Sequence, residues 1–385
     1  MPKAEIKNLK KAAERIIKAV KNGERIIIYG DSDLDGVSSV IILKETLSNI
    51  GSKNHIIYFP DREEEGYGLN NDALAALEKN SPALFITLDC GISNIKEVDV
   101  ANKMGFEVII IDHHEPLNKY PKASIIVDPK QKGDKYPFKG FANVGLVYRL
   151  AEKIFKDNIP EPIRKSFLQL VAMATIADMM PREDENENMI IEGIGYIEES
   201  WRPGIQSLFG LGDFKNLNLA EKINKVNSLM NIRNIENGLP ASYRILVESD
   251  RKKADKLAEV LVQMGYEKRR KIKEIIREIE NRSLIKEDNI IFEGDESWEL
   301  ILLGVAAAVV SKNTGKPVFL YRKYEENCQG SVRAPDGYNT VEAMKTCDNF
   351  LLTYGGHPRA SGFKVKNEDL DKFRQCLINY FKENI

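Results

Sequence analysis

The sequence predicts an α/β fold in which a larger parallel-sheet domain and a smaller α/β domain are joined by a long helix. The first half of the chain alternates short apolar runs with helical segments, which is typical of a parallel sheet covered by helices on both faces. The C-terminal quarter begins a second alternation of the same kind. A chain of 385 residues is also long for a single hydrophobic core. We therefore expect domains at residues 1–215 and 286–385, with a helical linker at residues 216–285.

The individual elements follow from apolar runs that end at turn residues and from segments with helical spacing. In the first domain, strands are predicted at residues 26–29, 55–59, 84–88, 108–111 and 124–127. Helices are predicted at residues 37–47, 71–78, 96–104 and 163–177, and a long helix at residues 250–279. In the second domain, strands are predicted at residues 300–303, 317–321, 328–333 and 361–365, and helices at residues 305–311 and 340–346.

The composition is that of an ordinary globular protein, with 43% hydrophobic residues, 30% charged residues and a formal net charge of -2. This charge gives no overall attraction to polyanions, so nucleic-acid binding would require a local basic patch. No apolar stretch approaches the roughly 18 residues of a membrane span, and the N-terminal segment lacks a signal-peptide core. We therefore expect a cytoplasmic protein without membrane contact. The widely spaced cysteines predict reduced thiols: Cys90, Cys328, Cys347 and Cys376.

The turn after the first predicted strand carries three carboxylates, Asp31, Asp33 and Asp35. A buried parallel strand should place them at its carboxyl end, where open α/β sheets bind ligands. Carboxylates this close raise each other's pKa unless a counter-charge is present, and a divalent cation would supply it. A calcium-binding EF-hand loop would need Glu at its twelfth position, where Ile42 stands. A plain acidic surface turn stays an alternative at this point.

Two further predicted strands end in groups that can bind metals. Asp89 follows one strand, and Asp112, His113 and His114 follow the next. An aspartate at a strand end is more often a turn residue than a ligand, but two adjacent histidines behind it are harder to explain that way. Asp178 follows a helix and has apolar neighbours, so we expect it to be buried with a partner such as a metal.

Taken together, these residues resemble the four motifs of the DHH phosphoesterase family. Residues 60–70, 175–181 and 202–204 are similar to stretches of its RecJ branch of single-strand-specific nucleases, and residues 330–334 and 355–363 resemble the two motifs of the DHH-associated domain. The resemblance covers nearly the whole chain in the expected order. Residues 231–234 fall where RecJ proteins contact the substrate, although residues 223–227 match that motif poorly.

The resemblance implies two Mn²⁺ or Mg²⁺ ions, because such ions neutralise a phosphodiester and supply a hydroxide. In this arrangement Asp33 and Asp35 each face a metal and Asp89 bridges the two metals. His113 completes the ligand shell of one metal, and Asp178 completes that of the other. Asp31 joins the ligands or holds a water. The implied catalytic residues are His114, a phosphate contact or general acid, and Asp112, which orients the imidazoles. Several branches of the family carry a histidine where this chain has Tyr29, which implies fewer nitrogen ligands for one metal.

In the second domain, the motifs imply a substrate-binding site formed by Ser331, Arg333, Gly355, Gly356 and His357. A guanidinium such as that of Arg333 presents a forked donor that matches a phosphate. The glycine pair before the last strand offers bare backbone amides, although a simple turn with a surface histidine explains it equally well. The basic cluster at residues 268–273 is either a solvated helix face or the local patch that single-strand binding requires.

The resemblance implies a metal-dependent exonuclease that degrades single-stranded DNA from 5′ to 3′ to mononucleotides in repair, recombination or replication. RNA is a possible second substrate, and repair or replication proteins are possible partners. Two alternatives remain: a phosphodiesterase for short oligoribonucleotides or cyclic dinucleotides, and an inactive component of a replication complex. An intact set of crowded carboxylates argues against the inactive component.

Overall fold

The computed structural model describes residues 5–62, 65–117, 119–283 and 288–384. The chain forms two compact units, Met1–Gln263 and Met264–Ile385, and the division falls within a long helix. The domain boundaries expected from the sequence stay a prediction, and the one at residue 285 lies outside the described residues. The RecJ-like stretch at residues 60–70 is described except for Glu63 and Glu64.

The first unit is built on a five-stranded parallel sheet in the order β2-β1-β3-β4-β5. Its strands are β1 (Ile26–Gly30), β2 (His55–Tyr58), β3 (Ala83–Leu88), β4 (Phe106–Ile111) and β5 (Ile125–Val127). Every residue of β1 and β3 is buried, because helices cover both faces of the sheet. A small antiparallel pair, β6 (Ile235–Glu236) and β7 (Leu239–Pro240), follows later in the chain.

Ten helices of the described chain belong wholly to the first unit. They are α1 (Leu9–Lys21), α2 (Leu34–Asn49), α3 (Asn71–Leu77), α4 (Ile95–Lys103), α5 (Asn143–Ile154), α6 (Glu161–Ala177), α7 (Asp184–Gly195), α8 (Pro203–Phe209), α9 (Leu219–Met230) and α10 (Ala241–Val247). The long helix α11 (Arg251–Ser283) crosses from the first unit into the second. None of the described helices is both long and apolar enough to span a membrane.

The second unit contains a mixed five-stranded sheet in the order β11-β12-β10-β9-β8. Its strands are β8 (Ile291–Asp295), β9 (Val318–Lys323), β10 (Asn327–Arg333), β11 (Leu351–His357) and β12 (Ala360–Lys366), and its helices are α12 (Leu300–Thr314), α13 (Thr340–Thr346) and α14 (Leu370–Glu383). Only β8 and β9 pair in parallel. The α/β fold class, with a long helix joining a parallel-sheet domain to a smaller one, is confirmed.

Two sequence expectations are wrong in the second unit. Residues 300–303 form the first turn of α12 and not a strand, because the apolar run continues into residues 305–311 without a turn and periodicity cannot separate a short strand from a buried helix. Gly355, Gly356 and His357 precede the last strand as expected, but they lie within β11, which excludes the alternative of a simple glycine turn. Cys347 and Cys376 form a disulfide, whereas we expected reduced thiols; Cys90 and Cys328 are free. Packing of α13 on α14 brings the first pair together, which their separation in the sequence did not indicate.

Candidate metal centre

Four aspartates lie side by side at the carboxyl edge of the first sheet. The register pairs Gly30 with Leu88, Leu88 with Ile111, and Ile111 with Val127. The residues that follow β1, β3 and β4 continue this register, because each donates its backbone N–H to the last residue of the neighbouring strand. We call these four residues the aspartate row: Asp31, Asp89, Asp112 and Asp128. The sequence predicted the first three as strand-end groups, and it missed Asp128 because an aspartate before proline is typical of a turn.

The acidic turn between β1 and α2 directs its other carboxylates to different places. Asp33 caps α2, because one of its oxygens accepts from the N–H groups of Asp35 and Gly36 at 3.1 Å each. Asp35 is buried and points to the first turn of α5, where it accepts from the N–H groups of Asn143 at 2.7 Å and Val144 at 2.8 Å. The amino end of α5 thereby stabilises a carboxylate in the protein interior.

His113 is held so that one ring nitrogen faces the carboxylates. Its Nδ1 lies 2.9 Å from the backbone oxygen of Phe141 and must carry the proton to donate there. Nε2 is then an acceptor, and it faces Oδ1 of Asp89 at 3.2 Å. Within the described chain, that buried oxygen has no hydrogen-bond donor. Two acceptors at this distance repel each other unless a proton or a metal ion lies between them, so the pair fits a metal ion.

All six predicted metal ligands converge in overlapping groups whose ligand atoms lie within 4.8 Å of one another. The groups are Asp35–His113–Asp178, Asp31–Asp33–Asp89 and Asp89–His113–His114. We call the first two the Asp35 group and the Asp31 group. In the Asp35 group, His113 Nε2 lies 3.8 Å from Asp35 and 3.7 Å from Asp178. The structure therefore places His113 and Asp178 close together, and their assignment to different metal ions, which the resemblance implied, stays a prediction.

Burial and mutual repulsion raise the pKa values of these carboxylates. Removal from water raises the pKa of Asp35 and of Asp89 well above the ordinary range, and neighbouring carboxylates raise both further. The same causes raise the pKa of Asp178 to about 6. Burial lowers the pKa of His113 to about 4, which keeps its imidazole neutral near neutral pH. A neutral imidazole among crowded carboxylates is a suitable donor set for a divalent cation.

Asp112 orients one of the two histidines and not both. Its Oδ1 accepts from Nδ1 of His114 at 2.7 Å, and its Oδ2 accepts from the N–H of Ile92 at 3.0 Å. Burial alone would raise the pKa of Asp112, but these hydrogen bonds and the neighbouring imidazoles lower it. Burial lowers the pKa of His114, and the bond to Asp112 outweighs this effect and raises the pKa. The ring of His113 is instead held by Phe141, which corrects our expectation.

The sequence reasoning missed two side chains of the loop after β2. Arg62 lies 3.0 Å from Asp33 and also contacts Asp31. The hydroxyl of Tyr67 donates to the backbone oxygen of Asp89 at 3.1 Å and lies 3.3 Å from the ring nitrogens of His114. A signal for both was present, because they belong to the RecJ-like stretch at residues 60–70.

A cavity of about 200 Å³ opens above the acidic turn. Its lining includes three carboxylates and two arginines: Asp33, Asp35, Asp178, Arg62 and Arg233. Asn231, which also lines it, accepts from the N–H of Leu34 at 3.1 Å. Residues 231–233 therefore lie at the metal centre, in the segment where the sequence suggested substrate contacts.

Two expectations concerned the surroundings of the centre. Tyr29 packs between Tyr58 and Phe85 and donates its hydroxyl to the backbone oxygen of Gly68 at 2.8 Å, so it points into the core and not at the carboxylates. Its effect on metal affinity stays a prediction.

Asp178 is not fully buried, because its side chain is 31% exposed and the adjacent Met179 is 90% exposed. The chain turns outward there, with a positive φ of 57° at Met179.

The predicted substrate residues lie on neighbouring strands of the second unit. Ser331 of β10 pairs with Gly362 of β12, which pairs with Gly355 of β11. Two residues further along these strands, Arg333 and His357 both pair with Ala360 of β12. Residues two apart share a face of a strand, so four of the predicted residues share one face of this sheet: Ser331, Arg333, Gly355 and His357. Gly356 lies between the last two and belongs to the other face.

The basic cluster of α11 is partly neutralised. Lys271 forms an ion pair with Glu299, and Arg270 lies 3.9 Å from Glu274. Arg269 stacks on the ring of Tyr266 at 4.8 Å. Binding of nucleic acid by this basic cluster therefore stays a prediction.

Family models and known proteins give a consistent result. The model of the DHH family N-terminal domain matches residues 25–175, and the DHHA1 domain matches residues 287–383. The single-stranded-DNA-specific exonuclease RecJ of Bacillus subtilis is 34% identical over 97% of this chain, but the match spans only 48% of that protein. RecJ of Thermus thermophilus is 29% identical over 97% of this chain and 54% of its own length.

A solved structure of exonuclease RecJ bound to manganese has a TM-score of 0.83 and 27% identity, covering 98% of this chain and 94% of the other. The chain thus spans about half the length of the curated relatives named here, while 98% of it superposes on a RecJ structure. Residues 25–175 and 287–383 match, in the expected order, the two domains that the sequence motifs suggested. Residues 25–175 therefore form a DHH family N-terminal domain and residues 287–383 a DHHA1 domain, and the chain is similar to RecJ in sequence and fold.

Proposed function

We propose that this chain is a metal-dependent exonuclease that hydrolyses single-stranded DNA to mononucleotides, in the 5′ to 3′ direction. The observation that carries the proposal is the contact between Nε2 of His113 and Oδ1 of Asp89. Both are buried acceptors, they lie 3.2 Å apart, and Asp35 and Asp178 converge on the same nitrogen. Such a cluster needs protons or a bound cation to balance its charge, and a divalent cation does so without protonating the carboxylates.

The donor set fits two Mn²⁺ or Mg²⁺ ions, because hard carboxylate oxygens with one imidazole suit these ions better than soft-ligand metals. The proposed ligands are Asp31, Asp33, Asp35, Asp89, His113 and Asp178. When bound, such ions neutralise the scissile phosphate and lower the pKa of an attacking water. The RecJ homologue of similar fold is bound to manganese, which supports the same choice here.

His114 is proposed to contact the phosphate or to donate a proton to the leaving oxygen. It is partly exposed, with 45% of its side chain accessible, while Nδ1 is held by the buried Asp112. Its hydrogen bond to Asp112 raises its pKa, although burial opposes the rise, so it retains a proton to a higher pH than a free imidazole. Tyr67 limits the movement of the ring from the other side.

Single-strand binding is assigned to the shared face of the second sheet. Arg333 is half-buried and hydrogen-bonds the backbone oxygen of Val332 through Nη1, so its guanidinium is held in place. On the same face the imidazole of His357 adds a donor for a phosphate, and Gly355 and Gly356, without side chains, leave the backbone of the edge strand β11 accessible to the substrate. Repair or replication proteins as partners, and the cytoplasm as location, are further proposals that rest on the RecJ relatives alone.

The test is degradation of end-labelled single strands of about 20 nucleotides, long enough to fill a single-strand site. DNA and RNA strands labelled at either end are incubated with Mn²⁺, Mg²⁺ or EDTA. We expect metal-dependent release of mononucleotides from DNA, beginning at the 5′ end. Rapid hydrolysis of a dinucleotide with no attack on the longer strands would favour the short-substrate phosphodiesterase. No hydrolysis of any substrate with either metal would overturn the proposal in favour of an inactive component.

A further inference from the structure

Arg62 occupies the space beside the carboxylates of the Asp31 group. Its Nη2 lies 3.0 Å from Oδ2 of Asp33, and two of its nitrogens contact the carboxylate of Asp31. The guanidinium also lies above the ring of Tyr67, 5.1 Å from its centroid, and its side chain is only 19% exposed. A forked, partly buried contact of this kind is stronger than an exposed ion pair.

The Asp35 group is balanced in another way. Asp35 accepts from two backbone N–H groups of α5, which can remain in place when an ion binds. Among the described residues, no lysine or arginine forms an ion pair with Asp35 or Asp178. Of the two groups in the described chain, only the Asp31 group is therefore in direct contact with such a side chain, that of Arg62.

A guanidinium and a metal ion cannot use the same carboxylate oxygens at once. An ion entering the Asp31 group must first displace Arg62 from Asp31 and Asp33, whereas an ion entering the Asp35 group displaces no side chain. Breaking such charge-assisted hydrogen bonds lowers the apparent affinity of the competing ion, by about tenfold for one bond.

We propose that Arg62 is a tethered counter-cation that sets the order of metal loading, so that the Asp35 group fills first and the Asp31 group fills second and more weakly. This inference rests on the metal centre of the proposed function. Arg62 is a positioning residue here, because it acts on the metal through Asp31 and Asp33. Arg62 lines the same cavity as Arg233, so once displaced from the carboxylates its guanidinium would be available to an anion there.

The test measures Mn²⁺ binding to the metal-free 385-residue chain by calorimetry and by the loss of the free-ion electron paramagnetic resonance signal. The wild type should show two classes of site. Arg62→Gln should tighten the weaker class about tenfold and leave the stronger class nearly unchanged. Arg62→Lys keeps the charge without the fork, so its weaker class should lie between the other two.

Arg233→Gln is the matched control, because it removes an equal charge close to Arg62 without contacting Asp31 or Asp33. It should leave the weaker class unchanged. An equal gain in both variants would show a general field effect and overturn the inference, as would two indistinguishable sites in the wild type. If the wild type binds no Mn²⁺, the proposed function fails and this inference fails with it. Circular dichroism of each variant verifies that the fold is retained.

Discussion

Asp178→Asn is expected to stabilise the metal-free protein at neutral pH but not at acidic pH. Burial, followed by the charge of Asp33, raises the pKa of Asp178 from its ordinary 3.8 to about 6. The folded state then holds this proton more tightly than the unfolded chain does. The contribution of Asp178 to stability is therefore complete below pH 3.8 and is lost as the pH rises through about 6. Asparagine has almost the same shape and undergoes no such loss.

The size of the effect follows from the same values. A rise from 3.8 to about 6 corresponds to about 3 kcal/mol of unfolding free energy. Since the side chain is 31% exposed, solvent screening reduces the expected gain to roughly 2 kcal/mol. The end of α6 adds a smaller gain, because a negative charge there opposes the helix dipole. For a protein of this size, such a gain raises Tm by about 2–4 °C.

The assay is thermal unfolding in EDTA at about pH 4 and about pH 7.5, which bracket the transition. The two proteins should unfold together at the lower pH, and Asp178→Asn should have the higher Tm at the higher pH. Mn²⁺ should then raise the Tm of the wild type more than that of the variant, which lacks one ligand. Asp99→Asn, a change on the surface of α4, serves as the control. The reasoning is refuted if Asp178→Asn gives no gain at the higher pH, or the same gain at both.

Four other changes have expected outcomes. Asp89→Ala should abolish hydrolysis while circular dichroism shows an intact fold; activity near wild type would contradict the ligand assignment. Arg333→Ala should weaken single-stranded DNA binding in a filter assay without altering the Mn²⁺ content, and unchanged affinity would count against the second sheet. Cys347→Ser should lower the unfolding free energy by roughly 3 kcal/mol, because the disulfide closes a loop of 29 residues; dithiothreitol should reproduce this loss in the wild type only. Arg202→Met should cost about 3 kcal/mol in urea unfolding, because it leaves Glu45 and a backbone oxygen without their buried partner.

The sequence predicted the main ligands because parallel strands end at one edge of a sheet. Asp31, Asp89 and Asp112 each follow a recognisable apolar run, so their convergence required only the correct strand assignment. Arg62 and Asn143 could not be placed in this way. Arg62 comes from the loop after β2, and Asn143 acts through its backbone amide at the N-terminus of α5, so neither position follows from strand order. Such contacts depend on how the loops and helices pack.

The errors in the second unit have a different origin. Residues 300–310 are apolar almost throughout, so neither a period of 2 nor a period of 3.6 stands out, and helix α12 could not be distinguished from a strand followed by a helix. β8 was missed because it is short and carries Glu293, Gly294 and Asp295. The disulfide depends on two helices whose packing no local pattern reports.

The aspartate row shows why position alone does not assign a role. Asp89 and Asp112 follow adjacent strands at the same register, yet their pKa values shift in opposite directions. Four donors, from Ile92, His113 and His114, point at Asp112, whereas Oδ1 of Asp89 receives none from the described residues. A carboxylate satisfied by protein donors has little lone-pair capacity left for a cation, while one without donors has an oxygen available. The loops therefore decide which aspartate serves as a ligand and which orients its neighbour.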